Sequence, residues 1–290
     1  MKTNLITTAL LLSASAFVQA ETKTELEPIN VYSAYATPVN QDQTASSVTV
    51  LTEKDFAERN ATYVSDVLKT VPGVAMGATG GRGAVTSLFL RGANSSQTAV
   101  VIDGVKMNPA DTNFSFGGLA LSNIERIEVL RGEQSALWGA DAMGGVIYIT
   151  TKSGLYKDKP FNVDFDFGTG SHRTRDGSVT VSGQQNNFYY ALHGDSHRTS
   201  GISVASKNTF RYTSTQGDEI RTGGAIEKDK FHRDGTSLRF GYDDNQKGID
   251  FLASHSSQTF HNDSITSGQD TQGYTAFENL TPTYIRTRET

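Results

Sequence analysis

Four charged residues in glycine-punctuated apolar sequence are the first candidates for chemistry: Arg91, Glu125, Glu128 and Arg131. Acidic and basic side chains that converge can act as a general acid and base. A buried charge needs a partner, however, and an arginine–carboxylate fork supplies both charge and geometry. The chain has no cysteine and no Gly-x-Ser-x-Gly elbow, so it offers no nucleophile of those kinds. The four residues are therefore predicted to form structural ion pairs, and the chain is predicted not to be an enzyme.

Histidines are the next candidates, because a cluster of them can hold a transition metal. All six lie in the second half of the chain: His172, His193, His197, His232, His255 and His261. His193 and His197 can share one face of a strand, but no carboxylate lies at the spacing of a zinc-protease motif. They are interpreted as scattered side chains rather than as a metal site, and no cofactor is predicted.

The composition excludes several classes of protein. Hydrophobic residues make up 36% of the 290 residues, and the mean hydropathy is −0.39. After residue 20, no apolar run approaches the ~20 residues of a membrane-spanning helix, which excludes a helical membrane protein. The formal net charge of −5 argues against a nucleic-acid-binding protein, which needs a basic surface. Residues 1–20 have the pattern of a secretory signal, with Lys2 before an apolar core and Val18-Gln19-Ala20 as the cleavage site. An exported protein without cysteine must be stabilised by burial and hydrogen bonding.

The stretch Ile124–Lys152 indicates the architecture of the first half. Ile124–Arg131 alternates as a half-buried strand, Gly132 interrupts it, a helical turn covers Gln134–Trp138, and Val146–Thr151 forms a second strand. Dense glycine inside apolar sequence implies close backbone approach or positive φ. Two core strands of an unrelated α+β domain are the alternative. The order of strand, Arg-Gly, short helix, Gly-Gly and strand closely resembles the end of the plug domain of TonB-dependent outer-membrane receptors.

Earlier landmarks extend this resemblance. Ser47–Leu51 is predicted to be a strand, and Thr52 with Asp55 has the spacing of a capping box, which predicts a helix to Arg59. A second helix is predicted over Thr62–Lys69. Three further landmarks match the family: Asp66-Val67-Leu68 with Pro72-Gly73-Val74, Arg91-Gly92, and the tight turn Asp103-Gly104.

An extended segment near the amino terminus occupies the position of the family's TonB box. It comprises Glu27, Pro28, Ile29, Asn30, Val31, Tyr32, Ser33 and Ala34. A solvated linker is the alternative, and Pro28 and Asn30 depart from the family's commoner pattern. A mobile extended strand can add to the sheet edge of a partner through main-chain hydrogen bonds. The resemblance thus implies that TonB, a periplasmic protein anchored in the inner membrane, is the partner of this segment.

Two polar, glycine-containing loops are expected to face a ligand. Residues 76–84 lack the Gly-Lys-Ser/Thr ending of a P-loop, and no helix follows them as a dinucleotide-binding turn requires. A flexible surface loop is the alternative. The resemblance implies that this loop and Asn108–Gly118 are apical loops that contact an extracellular small molecule. The implied ligand-binding residues are Gly80, Gly81, Arg82, Ser87, Asn108, Asp111 and Asn113.

After Lys152 the pattern changes to long alternating strands with polar turns. Phe161, Val163, Phe165 and Phe167 alternate with polar residues, as in an outer-membrane β-barrel, although a soluble β-sandwich alternates in the same way. The predicted fold class is an α+β plug domain followed by the first antiparallel strands of an incomplete transmembrane β-barrel. About six membrane strands fit into residues 151–290, against roughly 22 in plugged transporters, so a fragment is expected.

The resemblance also implies a division of the chain into four parts. The predicted parts are a signal peptide (1–20), a flexible terminus with the TonB box (21–40), the plug (41–152) and the start of the barrel (153–290). Residues 199–229 are expected to form an extracellular loop.

Cobalamin receptors resemble this region and bind calcium through carboxylates on early barrel loops. Five carboxylates fall there, but their spacing departs from the family and none is assigned as a ligand: Asp218, Glu219, Glu227, Asp229 and Asp234.

Within the family, the segment from Arg91 to Val105 is most similar to the cobalamin (vitamin B12) receptors. The resemblance implies energy-coupled uptake of cobalamin at the outer membrane, in contact with lipid and without nucleic acid. Cargo binding outside is expected to be coupled to exposure of the TonB box inside. A ferric siderophore or haem as cargo is the first alternative. A soluble periplasmic binding module is the second.

Overall fold

The computed structural model describes residues 30–32, 39–44, 46–108, 113–155, 159–202, 210–213, 219–222, 228–244, 247–263 and 270–287. Within these ranges, no helix combines the length and the apolar character needed to cross a membrane.

The first part of the chain, called the N-terminal domain below, is built on a mixed five-stranded sheet. Its elements are β1 (Asn30–Val31), β2 (Val39–Asn40), β3 (Ser47–Thr52), α1 (Glu53–Glu58), α2 (Val64–Leu68), β4 (Val74–Ala78), β5 (Thr86–Leu90), β6 (Thr98–Ile102), β7 (Val105–Lys106), β8 (Ile124–Arg131), α3 (Ser135–Trp138) and β9 (Gly145–Thr151). The sheet order is β3-β8-β9-β6-β7, with β6 and β9 parallel. β4 pairs with β5 as a hairpin, and β1 pairs with β2.

The sheet of the N-terminal domain is buried on both faces. On β9, Ile147 and Ile149 join a cluster that includes the apolar side chains of α1 and α2. Val146 and Tyr148 alternate with them and join a second cluster on the other face. Because both faces are covered, the strand is a continuous apolar run rather than an alternating one.

The helices form close to where the sequence predicts them. The Asp55 carboxylate accepts a hydrogen bond of 2.9 Å from the backbone N–H of Thr52, and this bond lowers the pKa of Asp55. α2 is shorter than the predicted Thr62–Lys69, because Tyr63 is extended (φ −124°, ψ 151°) and forms a β-bridge with Ala120.

Positive φ angles confirm the turn and glycine predictions. Asp103 and Gly104 have φ values of 49° and 87°, as a two-residue hairpin turn requires. Gly132, Gly139 and Gly145 have φ values of 108°, 86° and 148°. The glycines of this stretch therefore serve backbone geometry and not flexibility.

The second part of the chain forms an antiparallel six-stranded sheet. Its strands are β10 (Asn162–Gly170), β11 (Thr174–Gln185), β12 (Phe188–Thr199), β15 (Phe231–Asp243), β16 (Lys247–Asp263) and β17 (Asp270–Thr287), in that order across the sheet. A separate hairpin, β13 (Phe210–Thr213) with β14 (Glu219–Thr222), lies between β12 and β15 in the chain. The predicted extracellular loop therefore contains strands of its own.

The two faces of the six-stranded sheet differ in polarity. Phe165 and Phe167 are 73% and 79% exposed on one face. The other, inner face packs against the N-terminal domain and carries buried polar residues such as Thr180 and His193. The edge formed by the ends of β10, β12 and the start of β15 is called the upper end of the sheet.

Candidate functional site

A cleft of about 560 Å³, called the upper cleft, opens between the N-terminal domain and the upper end of the six-stranded sheet. The β4–β5 turn, the start of α2 and the ends of β11 and β12 supply its lining. Three of the predicted ligand-binding residues line it: Gly80, Gly81 and Arg82. The structure therefore brings the first predicted loop to a cavity large enough for part of a small molecule.

Arg82 is held in place by side chains of the N-terminal domain. Its guanidinium lies 3.9 Å from the centre of the Tyr63 ring, a cation–π contact. It also lies 3.9 Å from the carboxylate of Asp66, which Lys69 approaches to 3.2 Å. Burial, with a smaller effect of the Asp176 carboxylate, raises the pKa of Tyr63, so its phenol stays protonated.

The glycines of this loop allow close approach to the sheet. A Cβ atom at Gly81 would lie 2.8 Å from the Cβ of Asp229. At Gly83, φ is +85° and a Cβ would lie 2.5 Å from the Phe231 ring. The sequence analysis interpreted these glycines only as part of a ligand-facing loop. No sequence pattern indicated that they contact the start of β15.

The second predicted loop contributes less to the upper cleft. The side chain of Asn108 accepts a 2.7 Å hydrogen bond from the Val100 N–H and donates one of 3.0 Å to the Thr98 carbonyl, so it supports β6. Ser87 and Asn113 are described but do not line the cleft, whereas Gly117 of the same region does. Asp111 lies outside the described residues.

Carboxylates outnumber cations among the described residues that line the upper cleft. The charged residues are Asp66, Asp176, Asp229, Lys69 and Arg82. By formal count the described lining holds three carboxylates and two cations, and both cations face the single carboxylate of Asp66.

A cluster below the cleft joins the N-terminal domain to the sheet. Arg239 of β15 lies 3.3 Å from Asp103 and 2.8 Å from Asp250 of β16. Asp103 also accepts hydrogen bonds from the backbone and hydroxyl of Thr151, at 3.0 and 2.6 Å. Tyr189 donates to Asp250 at 2.8 Å. The turn at Asp103 is thereby tied to two strands of the sheet.

The predicted partner-binding segment is docked on the opposite side of the N-terminal domain where it is described. Val31 is fully buried, and the Tyr32 N–H donates a 2.8 Å hydrogen bond to the Glu128 carboxylate. Arg126 donates to the Asn30 carbonyl at 2.9 Å and lies 4.9 Å from the Tyr32 ring centre. The remaining predicted residues lie outside the described residues: Glu27, Pro28, Ile29, Ser33 and Ala34.

A family model, the TonB-dependent Receptor Plug Domain, matches residues 40–146. The chain carries a TonB-dependent receptor plug domain. The N-terminal domain described above is this plug, and the upper cleft lies between the plug and the six-stranded sheet.

Curated relatives of the chain are transporters by name. It is 29% identical over 238 residues to the vitamin B12 transporter BtuB of Vibrio vulnificus strain YJ016, covering 77% of this chain and 38% of that protein. It is 34% identical over 165 residues to BtuB of strain CMCP6, covering 57% of this chain and 27% of that protein. The chain thus spans well under half the length of these relatives. It is similar to cobalamin transporters, as the sequence predicts.

Solved structures share the fold. The siderophore receptor PiuA of Acinetobacter baumannii has a TM-score of 0.58 and 20% identity over 78% of this chain and 28% of that one. The ferric-catecholate import receptor Fiu of E. coli K12 has a TM-score of 0.56 and 21% identity over 79% and 29%. The predicted fold class, an α+β plug followed by antiparallel strands of a receptor barrel, is confirmed.

The four charged residues first considered, which were predicted to form structural ion pairs, all lie in the plug. Glu128, fully buried, lies 3.2 Å from Arg126. Arg131 donates to the Pro72 carbonyl and the Ser47 hydroxyl, both at 3.0 Å. Burial and the nearby charge of Arg91 lower the pKa of Arg131, so the two arginines are neighbours of like charge. Glu125 is half-buried on β8.

Of the remaining candidate metal-binding residues, some lie on the six-stranded sheet or in the upper cleft and others lie outside the described residues. His193 and His197 do share one face of β12, and both are buried. Asp229 lines the upper cleft, and Asp234 lies 2.7 Å from His232. Asp218 and Glu227 lie outside the described residues, as does the side chain of Glu219.

Proposed function

We propose that this chain functions in a receptor that imports cobalamin across the outer membrane, with energy supplied through TonB. The plug domain and the likeness to vitamin B12 transporters support this proposal. Because the chain spans only 27–38% of the length of those relatives, their activity is extended to it as a proposal.

The charge of the upper cleft is the observation that carries the choice of cargo. A ferric catecholate is strongly anionic and requires uncompensated cations. Here the described lining holds three carboxylates (Asp66, Asp176 and Asp229) for two cations, and Arg82 and Lys69 both face Asp66. Cobalamin presents mainly neutral amide groups, which such a lining can meet with hydrogen bonds. The cleft therefore favours cobalamin over a ferric catecholate.

The apolar outer face of the six-stranded sheet supports an outer-membrane location. Phe161, Val163, Phe165 and Phe167 alternate along the first strand region and are 62%, 43%, 73% and 79% exposed. Exposed apolar residues in a row are unfavourable in water and favourable against lipid. Export through the signal at residues 1–20 belongs to the same proposal.

The docked segment Asn30–Tyr32 supports a signalling role for the amino terminus. Its hydrogen bonds to Arg126 and Glu128 would compete with strand addition to TonB. If cargo in the upper cleft weakens this docking, then by reciprocity release of the segment must weaken cargo binding by the same factor.

Growth of a strain that lacks its own cobalamin receptor tests the function. The full-length gene is expected to restore growth on limiting cobalamin, and only when TonB is present. Ile29→Pro should abolish growth without changing cobalamin binding, because proline removes a main-chain donor of the added strand. Uptake that survives Ile29→Pro would refute the assignment of the segment.

Other outcomes separate the rivals. Rescue of growth by a ferric siderophore or haem, but not by cobalamin, would identify an iron receptor of the same architecture. Cobalamin binding by protein recovered from the periplasm, with no requirement for TonB, would favour a soluble binding module.

A further inference from the structure

His197 lies between two cavities without lining either. Above it is the upper cleft, whose lining includes Tyr63 and Asp176. Below it, a cavity of about 140 Å³ between plug and sheet is lined by residues that include Asp195 and Arg233. The His197 side chain is only 3% exposed. It is therefore placed to act on the cleft through its neighbours.

The contacts of His197 reach both sides. Its ring centre is 5.6 Å from that of Tyr63. Its Nδ1 atom forms a 2.9 Å hydrogen bond with the Asp176 carboxylate, and its Nε2 atom lies 3.3 Å from the Asp195 carboxylate without the alignment of a hydrogen bond. Arg233 also contacts Asp195. The charged and titratable groups that face the ring are thus Asp176 of β11, Asp195 of β12, Arg233 of β15 and Tyr63 of the plug.

The two carboxylates beside His197 determine which protonation state of its ring fits the site. Each ring nitrogen of His197 faces a carboxylate oxygen, and an ionised carboxylate only accepts hydrogen bonds. A neutral imidazole has one N–H, so one nitrogen would face an acceptor with a lone pair. The imidazolium avoids this conflict, because it donates from Nδ1 to Asp176 and turns a protonated Nε2, rather than a lone pair, toward the Asp195 carboxylate.

We propose that His197, as an imidazolium, is a positioning residue for cargo binding: it fixes the Asp176 carboxylate and the Tyr63 ring on which Arg82 of the first loop rests. This inference rests on the proposal that cargo binds in the upper cleft. When His197 loses its ring proton, one of its two carboxylate contacts becomes repulsive. The loop that carries Arg82 then loses its fixed support, and affinity for cargo falls as the pH rises.

His193 provides a matched control. It lies on the same face of β12 and is also 3% exposed. Its Nδ1 atom meets the hydroxyl of Thr180 at 2.8 Å, and its Nε2 atom meets Asp195 at 3.1 Å. A neutral ring satisfies both contacts, because a hydroxyl can donate as well as accept. None of its hydrogen bonds reaches the upper cleft.

The first measurement reads the loop directly and needs no cargo. The chain has no cysteine, so Val85→Cys at a site that is 49% exposed gives a single label position within residues 1–290, and any cysteine elsewhere in the receptor is first replaced by serine. In the full-length receptor the label should become more mobile as the pH rises from about 6 to about 9, because the two carboxylates favour the imidazolium. H197Q should be mobile throughout, and H193Q should follow the wild type. A label equally immobile in H197Q would overturn the inference.

The second measurement is the affinity for cyanocobalamin over the same pH range. H197Q is expected to weaken binding about tenfold at the acidic end and to flatten the pH profile, whereas H193Q should stay within about twofold. H197K, which keeps a cation, should recover part of the loss. An H197K receptor that behaves as H197Q does would overturn the assignment of an imidazolium. A wild-type receptor that shows the label response but binds no cyanocobalamin would defeat the proposed function and leave the positioning of the loop standing.

Discussion

At the scale of single residues, glycines set how closely the plug meets the sheet. Gly83 and Gly92 have nearly the same φ, +85° and +80°, but a Cβ at Gly83 would meet Phe231 whereas one at Gly92 would meet nothing within 4 Å. Gly92→Ala should therefore cost only the left-handed backbone penalty of about 1–2 kcal/mol. Gly83→Ala should cost more, because it also separates the loop from the sheet. Denaturant unfolding of the two full-length variants checks this, and equal losses would contradict the close-approach role.

A second prediction concerns the contribution of Arg239 to the stability of the fold. Replacing it with Gln leaves the Asp103 carboxylate, which is 5% exposed, and the part-buried Asp250 carboxylate with one partner fewer each. Breaking a buried ion pair in this way typically costs about 3–5 kcal/mol. Arg198→Gln, an exposed arginine of the same sheet, serves as the control and should change the free energy of unfolding by less than about 1 kcal/mol. Similar unfolding midpoints for the two variants would show that Arg239 does not secure the plug.

Some of these residues could be found from the sequence and others could not. Arg126 and Glu128 are two apart on a strand and so share a face, a signal sufficient to predict their pairing, although the sequence analysis did not include Arg126 among the candidates. The glycines around Arg82 predicted a loop, and only the resemblance to plug domains implied that this loop faces a ligand. No local pattern connects Gly81 with Asp229, or Asp103 with Arg239, because only the packing of plug against sheet brings them together.

At the scale of elements, the docking of β1 depends on one buried carboxylate. Glu128→Ala removes the acceptor for the Tyr32 N–H and the partner of Arg126. Hydrogen bonds to a charged group contribute about 1.5–3 kcal/mol, so the docked fraction of the segment should fall at least tenfold. A spin label at Asn30→Cys, which is exposed, should become mobile in E128A and remain ordered in E125A. An unchanged spectrum in E128A would contradict the docking described above.

The start of α1 gives a prediction on pH. The pKa of Asp55 is lowered by the Thr52 N–H, so the ionised carboxylate stabilises the folded plug. This stabilisation is fully present above the ordinary aspartate value of about 3.9 and is lost as the pH falls through the lower folded value. Asp55→Asn should therefore reduce stability by about 1 kcal/mol at neutral pH and by less in acid. A loss that is the same at both pH values would show that the charge plays no part.

The elements themselves were largely predictable, because their signals are local. The capping residues placed α1, the alternation placed β8 and β10, and the Asp-Gly pair placed the turn after β6. The start of α2 was missed because the bridge between Tyr63 and Ala120 is a tertiary contact that keeps Tyr63 extended. The hairpin of β13 and β14 was missed because its polar sequence is typical of a loop.

At the scale of the whole molecule, the plug packs on a sheet whose outer face is apolar and whose inner face is polar. The contacts near Arg239 tie the plug to the sheet below, and those of Tyr63, Gly83 and Phe231 hold the first loop beside the upper cleft. The upper cleft is bounded by the plug on one side and by the six-stranded sheet on the other, so a movement of either would change its shape. This arrangement suits a protein that binds cargo on one side of the plug and signals on the other.

Calorimetric titration of the full-length receptor with cyanocobalamin, and in parallel with ferric enterobactin, tests the central claim most directly. Because the described lining of the upper cleft holds more carboxylates than cations, we expect saturable binding of cyanocobalamin at one site and no binding of the anionic ferric catecholate. Saturable binding of ferric enterobactin without any heat from cyanocobalamin would contradict the account.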